Sequence, residues 1–376
     1  MKSKNLVNLS SSYTEDDFHW MKVAINYARH GIGLTGKNPS VGCVIVKENQ
    51  ICGIGRTSNS GRPHAEENAL LISGSKSKGA TLYVTLEPCA HHEKFIPCIK
   101  QILLASIKKV VIAINDPDPR TNGQGVKYLK SNGVDVKIGC LESEAEELIQ
   151  GFKNRIIFNK PFVTIKIASS IDSKIALSSG KSKWITGPNT RRLMHLYRLR
   201  NDAILTGVNT VNEDNPQLNC RLPGLKKYSP NIFILDTKLK IKLDSKILEN
   251  ENITIITSEN SSKYKNNLLI EKKINIKILK TDSTGLISVK SIISYLASIK
   301  INNLLIEAGT KINTSFIGAK YVDKLILCRS GILFGEDSKS FFSDVGLNKI
   351  PKNKNFILKT SLKLDDDIIE HWIIND

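Results

Sequence analysis

Pro88-Cys89-Ala90-His91-His92-Glu93-Lys94-Phe95-Ile96-Pro97-Cys98, taken with His64-Ala65-Glu66 upstream, decides how the first half of this chain is read. His64, Cys89 and Cys98 supply three zinc ligands. Three protein ligands leave the fourth tetrahedral position to water, the pattern of a catalytic rather than a structural zinc. Zinc lowers the pKa of that water, to about 7 in the best-known hydrolases. Glu66, two residues from the histidine, is placed to move protons on it. Residues two apart do not share a helix face, so His64 and Glu66 are expected at the irregular start of a first turn. Singly, each residue has an ordinary reading: a helix-start histidine or a buried thiol. The constellation carries the chemistry. A structural zinc would want a fourth cysteine or histidine, and His91 and His92 are the nearby candidates.

The chain has 376 residues, too many for one ordinary domain, so two are expected. Hydrophobic residues at 40% and charged residues at 24% fit a globular protein with ample core. No apolar run approaches the ~18 residues needed to span a bilayer. Residues 1–12 carry lysines but no apolar segment, so no signal peptide is expected. The seven cysteines are odd in number and scattered, which gives no disulfide framework and points to the cytoplasm. The formal net charge is +18, but the lysines are spread rather than gathered into basic blocks. Many lie in Lys/Asn/Ile-rich stretches such as 263–280, which reads as composition bias over solvated faces. Nucleic-acid binding is one reading of that charge, and the spread of the lysines argues against it. Attracting an anionic, phosphorylated small substrate needs only a few of these charges, so neither nucleic acid nor membrane is expected as partner.

Thr14 followed by Asp17 has the form of a capping box opening a helix that Gly31 stops. Residues 41–46 and 51–55 read as paired strands. A helix over 64–73, a strand over 81–86, a helix over 97–106 and a strand over 109–114 follow. A helix over 123–131, a strand over 134–138 and a helix over 142–158 complete the first half. Lys160-Pro161 marks a break. Beyond it, strands are expected over 162–168, 203–206, 231–235, 253–257, 274–279, 304–307 and 324–327, with helices over 190–199 and 289–299. This alternation argues for two α/β units with largely parallel pairing, one over 1–153 and one over 160–376. No Gly-x-Gly-x-x-Gly opens a helix after a strand, so a Rossmann reading has no support.

His-x-Glu followed by Pro-Cys…Cys resembles the signature of the zinc-dependent nucleobase deaminases. Two residues usually separate those cysteines; here eight do. The longer spacing resembles the deaminase half of the bifunctional riboflavin-biosynthesis deaminase/reductases. Asn38-Pro39-Ser40-Val41-Gly42-Cys43-Val44-Ile45-Val46 is similar to that family's N-P-x-V-G-x-V-I-V segment. Asp116-Pro117-Asp118-Pro119, with Gly123 and Gly125, resembles its D-P-x-P-x-x-x-G-x-G loop. The resemblance implies that Asn38 and Asp116 meet the substrate, where turn chemistry is the ordinary alternative. It departs between the cysteines, where the family reads Gly-Lys/Arg-Thr-Pro and this chain has Glu93-Lys94-Phe95-Ile96.

The second half resembles the reductase half of the same family. The match rests on Lys166-Ile167-Ala168-Ser169-Ser170-Ile171-Asp172, Ser182-Lys183-Trp184-Ile185-Thr186, Arg198-Leu199-Arg200, the run from Thr206 to Leu218, and Glu307-Ala308-Gly309. Arg198 and Arg221 have the chemistry to clamp a phosphate bidentately. Gly309-Thr310-Lys311, after a strand and before a helical pattern, suits a cofactor phosphate at a helix N-terminus. By resemblance, Ala168, Trp184, Thr210, Asp214 and the run Gly309, Thr310, Lys311, Ile312, Asn313, Thr314, Ser315 line an NADPH site. Ser182, Arg198, Leu218, Arg221 and Glu307 hold substrate, and Lys166 and Asp172 are catalytic. Ser173 stands where the family commonly has glycine.

The resemblance implies a cytidine-deaminase-like three-layer α/β/α domain followed by a dihydrofolate-reductase-like α/β domain, with Zn2+ and NADPH as cofactors and a homo-oligomeric assembly. It implies hydrolytic deamination of 2,5-diamino-6-ribosylamino-4(3H)-pyrimidinone 5′-phosphate, then reduction of the ribosyl side chain of the product. Two rivals make different demands. A nucleic-acid-editing deaminase with a basic C-terminal region would show Pro-Cys-x-x-Cys and clustered basic or aromatic residues. A zinc-stabilised binding module would show a fourth ligand and a dispensable Glu66.

Overall fold

A computed structural model of the chain describes residues 13–90, 95–346, 349 and 351–375. The chain divides into two compact units between Ile157 and Phe158.

In the first unit the order is α1 (Glu15–Arg29), β1 (Gly42–Lys47), β2 (Gln50–Arg56), α2 (Ala65–Ser73), β3 (Thr81–Val84), α3 (Cys98–Leu104), β4 (Lys109–Ile112), α4 (Gln124–Ser131), β5 (Asp135–Ile138) and α5 (Glu142–Phe158). The capping box at Thr14 forms: its hydroxyl accepts the Asp17 N–H at 3.1 Å, and its own N–H donates to Asp17 Oδ2 at 3.2 Å. The sheet order is β2-β1-β3-β4-β5. β1 is antiparallel to both neighbours, while β3, β4 and β5 run parallel.

Two glycines show how the layers stack. A Cβ at Gly42 would lie 2.0 Å from Ala24 O of α1, and one at Gly55 would lie 2.2 Å from Ala65 O of α2. Gly55 pairs with Cys43, the neighbour of Gly42, so the two glycines face opposite sides of the sheet. Helices α1 and α2 therefore cover opposite faces, as a three-layer α/β/α unit requires. The side chain missing at Gly55 also lets the start of α2, where His64 sits, lie directly on the sheet. The core is the apolar set of β1, β3 and β4 with Met21, Ile25, Ile99, Ile102 and Leu129 from the helices.

In the second unit the order is β6 (Phe162–Ser169), β7 (Lys174–Ala176), α6 (Pro188–Leu199), β8 (Ala203–Gly207), α7 (Val208–Asp214), β9 (Asn231–Leu235), β10 (Ile253–Thr257), α8 (Lys263–Glu271) and β11 (Asn275–Ile278). It continues with α9 (Val289–Ser298), β12 (Asn303–Ile306), α10 (Thr310–Gly318), β13 (Lys324–Arg329), β14 (Lys339–Ser340), β15 (Phe356–Leu364) and β16 (Asp367–Ile374). Nine strands form one sheet in the order β11-β10-β9-β8-β12-β6-β13-β16-β15. From β11 to β13 every pairing is parallel. β16 and β15 close that edge antiparallel. The parallel strands β8, β9 and β10 are buried nearly throughout, as strands covered on both faces must be.

Three local findings differ from or sharpen the sequence reading. Residues 263–280, whose lysines were expected on solvated faces, form α8 and, where a strand was expected over 274–279, β11, with Leu269 and Ile274 buried. The hairpin β15–β16 had no counterpart in the expected strands. Ser173 adopts φ +66°, which explains why a glycine suits that position: a Cβ in the left-handed region costs about 1 kcal/mol. Among the described residues, no helix is long and apolar enough to cross a membrane.

Candidate active sites

In the first unit, three sequence-distant side chains meet where α2, the chain beyond β3, and α3 begin or end. His64 caps α2 with an extended backbone (φ −72°, ψ 168°), and Cys98 is the first residue of α3. His64 Nδ1 lies 3.4 Å from Cys98 Sγ and 3.7 Å from Cys89 Sγ. All three donor atoms fall within 4.8 Å of one another. At ordinary Zn–N and Zn–S lengths, two vertices of a tetrahedron are about 3.6 Å apart, so this donor set fits zinc as it stands. The Cys98 N–H donates to Cys89 Sγ at 3.4 Å. The Cys89 thiol is pushed down, first by the hydrogen bond from Cys98 and then, against burial, by His64. A thiolate is the form a metal needs.

Glu66 sits at the second position of α2 and is 4% exposed. Burial pushes its carboxyl up to about 7, opposed by the His64 charge. Asp116 is also brought in. It is buried and pushed up to about 7, by burial first and then by the charges of Asp118, Glu87 and Cys89. Asn38 donates to Gly61 O at 2.9 Å, which ties it to the loop that delivers His64. The two histidines considered as a fourth ligand, His91 and His92, lie outside the described residues, as do Glu93 and Lys94. Phe95 is described, and the Arg62 guanidinium stacks over its ring at 4.6 Å.

Two glutamates in this unit were not singled out from sequence. Glu67 accepts the His64 N–H at 2.6 Å and takes hydrogen bonds from Arg62 (3.1 Å) and Gln101 (3.2 Å). It thus joins the helix start carrying His64 to the helix carrying Cys98. A Glu at the third helical position is the signature that could have identified it. The other is Glu87, two residues before Cys89, whose carboxylate is buried among peptide N–H groups.

The second unit contains a cavity of about 850 Å³. It opens at the carboxyl ends of parallel strands β8, β9 and β12, the usual place for ligands in such sheets. Lys166, Ala168, Ser182, Trp184, Arg198, Thr210, Asp214, Leu218, Arg221 and Glu307 line it, as do Gly309, Thr310, Lys311, Ile312 and Ser315. Asn313 and Thr314 do not. They fall on the far side of α10, where Asn313 donates to Ala308 O and Phe341 O, and Thr314 to Thr310 O. A run of seven residues along a helix cannot all face one cavity. Asp172 is also elsewhere. Its carboxylate accepts from Ser170 Oγ at 2.5 Å and from the N–H groups of Phe334 and Gly335, so it ties down a loop.

Glu307 is the electrostatic centre of the cavity. Arg198 donates Nε at 2.7 Å and Nη2 at 3.1 Å to its two oxygens, and Lys166 Nζ lies at 3.5 Å. Burial alone would raise its pKa, but the charges and hydrogen bonds of Arg198 and Lys166 win and bring it to about 2. The guanidinium fork of Arg198, expected on a phosphate, is thus committed to Glu307. Of the two arginines expected at substrate, Arg221, exposed and held by Asn219 Oδ1 at 2.9 Å, is the one not paired with Glu307, and Arg191 also lines the cavity. Ser182, expected at substrate, donates to Asp214, expected at cofactor, at 2.6 Å. His195 and Thr237 line the cavity without any signal in sequence.

Comparison with known proteins bears on both units. The family model described as the RibD C-terminal domain matches residues 161–369. The cytidine and deoxycytidylate deaminase zinc-binding region matches residues 14–114. The riboflavin biosynthesis protein RibD of Aquifex aeolicus is 37% identical over 355 residues, covering 94% of this chain and 98% of that protein. The structure of Acinetobacter baumannii RibD superposes with a TM-score of 0.87 at 35% identity, covering 96% of this chain and 99% of that one. A Thermotoga maritima structure, described as a diaminohydroxyphosphoribosylaminopyrimidine deaminase/5-amino-6-(5-phosphoribosylamino)uracil reductase, gives 0.82 at 32% identity with the same coverage.

Proposed function

The chain belongs to the RibD family of riboflavin-biosynthesis proteins, and on that premise we propose which of its residues carry each of two consecutive reactions. The protein is a bifunctional enzyme, a zinc-dependent deaminase followed by an NADPH-dependent reductase. The first reaction replaces the ring amino group of 2,5-diamino-6-ribosylamino-4(3H)-pyrimidinone 5′-phosphate by oxygen and releases ammonia. The second reduces the ribosyl side chain of 5-amino-6-(5-phosphoribosylamino)uracil.

The observation that carries the deaminase assignment is the convergence of His64, Cys89 and Cys98 beside the buried Glu66. Zinc held there supplies the Lewis acidity that makes water nucleophilic near neutral pH. Glu66 takes the water's first proton and passes it to a ring nitrogen, then takes the remaining hydroxyl proton and gives it to the amino group, which leaves as ammonia as the carbonyl forms. Protonation of the ring is needed because attack otherwise places negative charge on it. Asn38 and Asp116 orient the pyrimidine.

In the second unit bound NADPH would supply the hydride for reduction of the ring-opened ribosyl group. Ala168, Trp184, Thr210, Asp214 and the cavity-facing start of α10 hold the cofactor. Ser182, Leu218 and Arg221 hold the substrate, with Glu307 braced between Lys166 and Arg198 beneath it. Replacing Arg221 by alanine tests this division. Affinity for the ribosylaminouracil phosphate should fall roughly tenfold or more, the effect of losing about 1.5–3 kcal/mol of charge-assisted hydrogen bonding, while NADPH binding is unchanged. Titrating both ligands side by side decides it: loss of NADPH binding with substrate binding intact would reassign the residue.

We place the protein in the cytoplasm, where its seven unpaired cysteines stay reduced. We also infer a homo-oligomer. The long edge strand β15 leaves Ile357, Leu358 and Leu362 exposed, an arrangement that a second chain would cover.

A further inference from the structure

Beyond β3 the chain runs through Thr85, Leu86, Glu87 and Pro88 to Cys89. Glu87 is 2% exposed. Its Oε2 accepts the N–H groups of Asp116 at 3.2 Å and Gly123 at 2.9 Å, and its Oε1 accepts that of Val126 at 3.1 Å. Its own N–H donates to Ile114 O at 2.9 Å. The carboxylate's partners are peptide groups of the loop that carries Asp116 and of the first turn of α4, which that loop opens. Gly125 fits the same arrangement: a Cβ there would lie 2.6 Å from Pro88 O and 3.1 Å from Glu87 Oε1. The loop therefore lies against the backbone of the Glu87-Pro88 step with no space for a side chain.

Burying a carboxylate is unfavourable unless its lone pairs are used, and here peptide N–H groups use them. The same three donors would be left unpaired if the carboxylate were removed. We propose that Glu87 is a positioning residue for the deamination, fixing the Asp116 loop to the segment beyond β3 that bears Cys89, so that substrate and metal ligand keep one geometry. The proposal rests on the deaminase reading and on Asp116 meeting the substrate. Glu87 itself touches neither substrate nor zinc ligand side chains in this role. It acts through the loop, and its loss should appear in substrate binding before it appears in metal binding.

The test uses the full-length zinc-loaded protein with Glu87→Gln and, independently, Gly125→Ala. Gln places an N–H₂ where an oxygen now accepts, and Ala pushes the loop off Pro88. Ammonia release from the diaminopyrimidinone phosphate, zinc content, reduction of supplied deaminated substrate and amide hydrogen exchange are measured together. The expected result in both variants is a KM raised about tenfold, kcat within about threefold, one zinc per chain and intact reduction. The amides of Asp116, Gly123 and Val126 should exchange faster. Unchanged KM, a fall in kcat alone, or loss of zinc in both variants overturns the proposal. Should Glu87→Gln fail to fold, which lost reduction and general loss of protection would reveal, Gly125→Ala decides on the same readouts. If the wild-type protein releases no ammonia, the deaminase reading falls. Exchange then decides the clamp alone, with undisturbed protection at the three amides counting against it.

Discussion

Replacing Cys98 by alanine removes bound zinc and abolishes deamination, while NADPH-dependent reduction of supplied deaminated substrate continues. The expectation follows from the number of donors. His64, Cys89 and Cys98 are the described residues that converge, and without Cys98 an imidazole and one thiol remain. Changing even a residue behind a metal ligand typically costs about 10–100-fold in affinity, so losing one of three ligands costs more. Lewis-acid stabilisation is worth several kcal/mol, and at 1.4 kcal/mol per decade the rate should fall by more than about 10³-fold. Reduction survives because the second core lies wholly beyond Ile157. Metal analysis of the purified variant beside both assays is the check. Full zinc occupancy would remove Cys98 from the ligand set.

The second large effect belongs to Glu66. Its glutamine variant should keep one zinc per chain, because the carboxylate is not among the converging donors. Turnover should nevertheless fall about 10²–10⁴-fold, the usual worth of a general acid–base group. Glutamine matches the shape of the side chain and cannot carry the proton. The carboxyl can both accept and release a proton, which is the property the amide lacks. Single-turnover rates with metal content measured on the same sample settle it. Turnover within about threefold of wild type would exclude this role.

What the sequence disclosed, and what it hid, follows from how each residue acts. His64, Cys89 and Cys98 were readable because zinc restricts its ligands to few residue types, and because His64 and Cys98 stand at helix starts that their neighbours announce. The capping box at Thr14 was readable because it is local. Glu87 acts through backbone N–H groups up to 39 residues away in sequence, at Val126, while Glu67 joins the local His64 N–H to the distant Gln101 side chain. Only Glu67 left a local trace. Asn313 and Thr314 belong to a run carried over by resemblance, and the periodicity of α10 turns them from the cavity. Asp172 is acidic and near Lys166 in sequence, yet it closes a loop. The hairpin β15–β16 escaped notice because β15 is exposed on nearly every residue, so the alternation that marks a half-buried strand is missing.

The central claim is that one chain performs deamination and then reduction. Mass spectrometry of the products formed from the diaminopyrimidinone phosphate, with and without NADPH, tests it most directly. Without NADPH the substrate should gain about 1 Da, the exchange of NH for O, and stop there. With NADPH that product should gain about 2 Da more, as hydride and a proton are added. An unchanged mass in the absence of NADPH, or a gain of about 2 Da with the amino group still in place, would contradict the account.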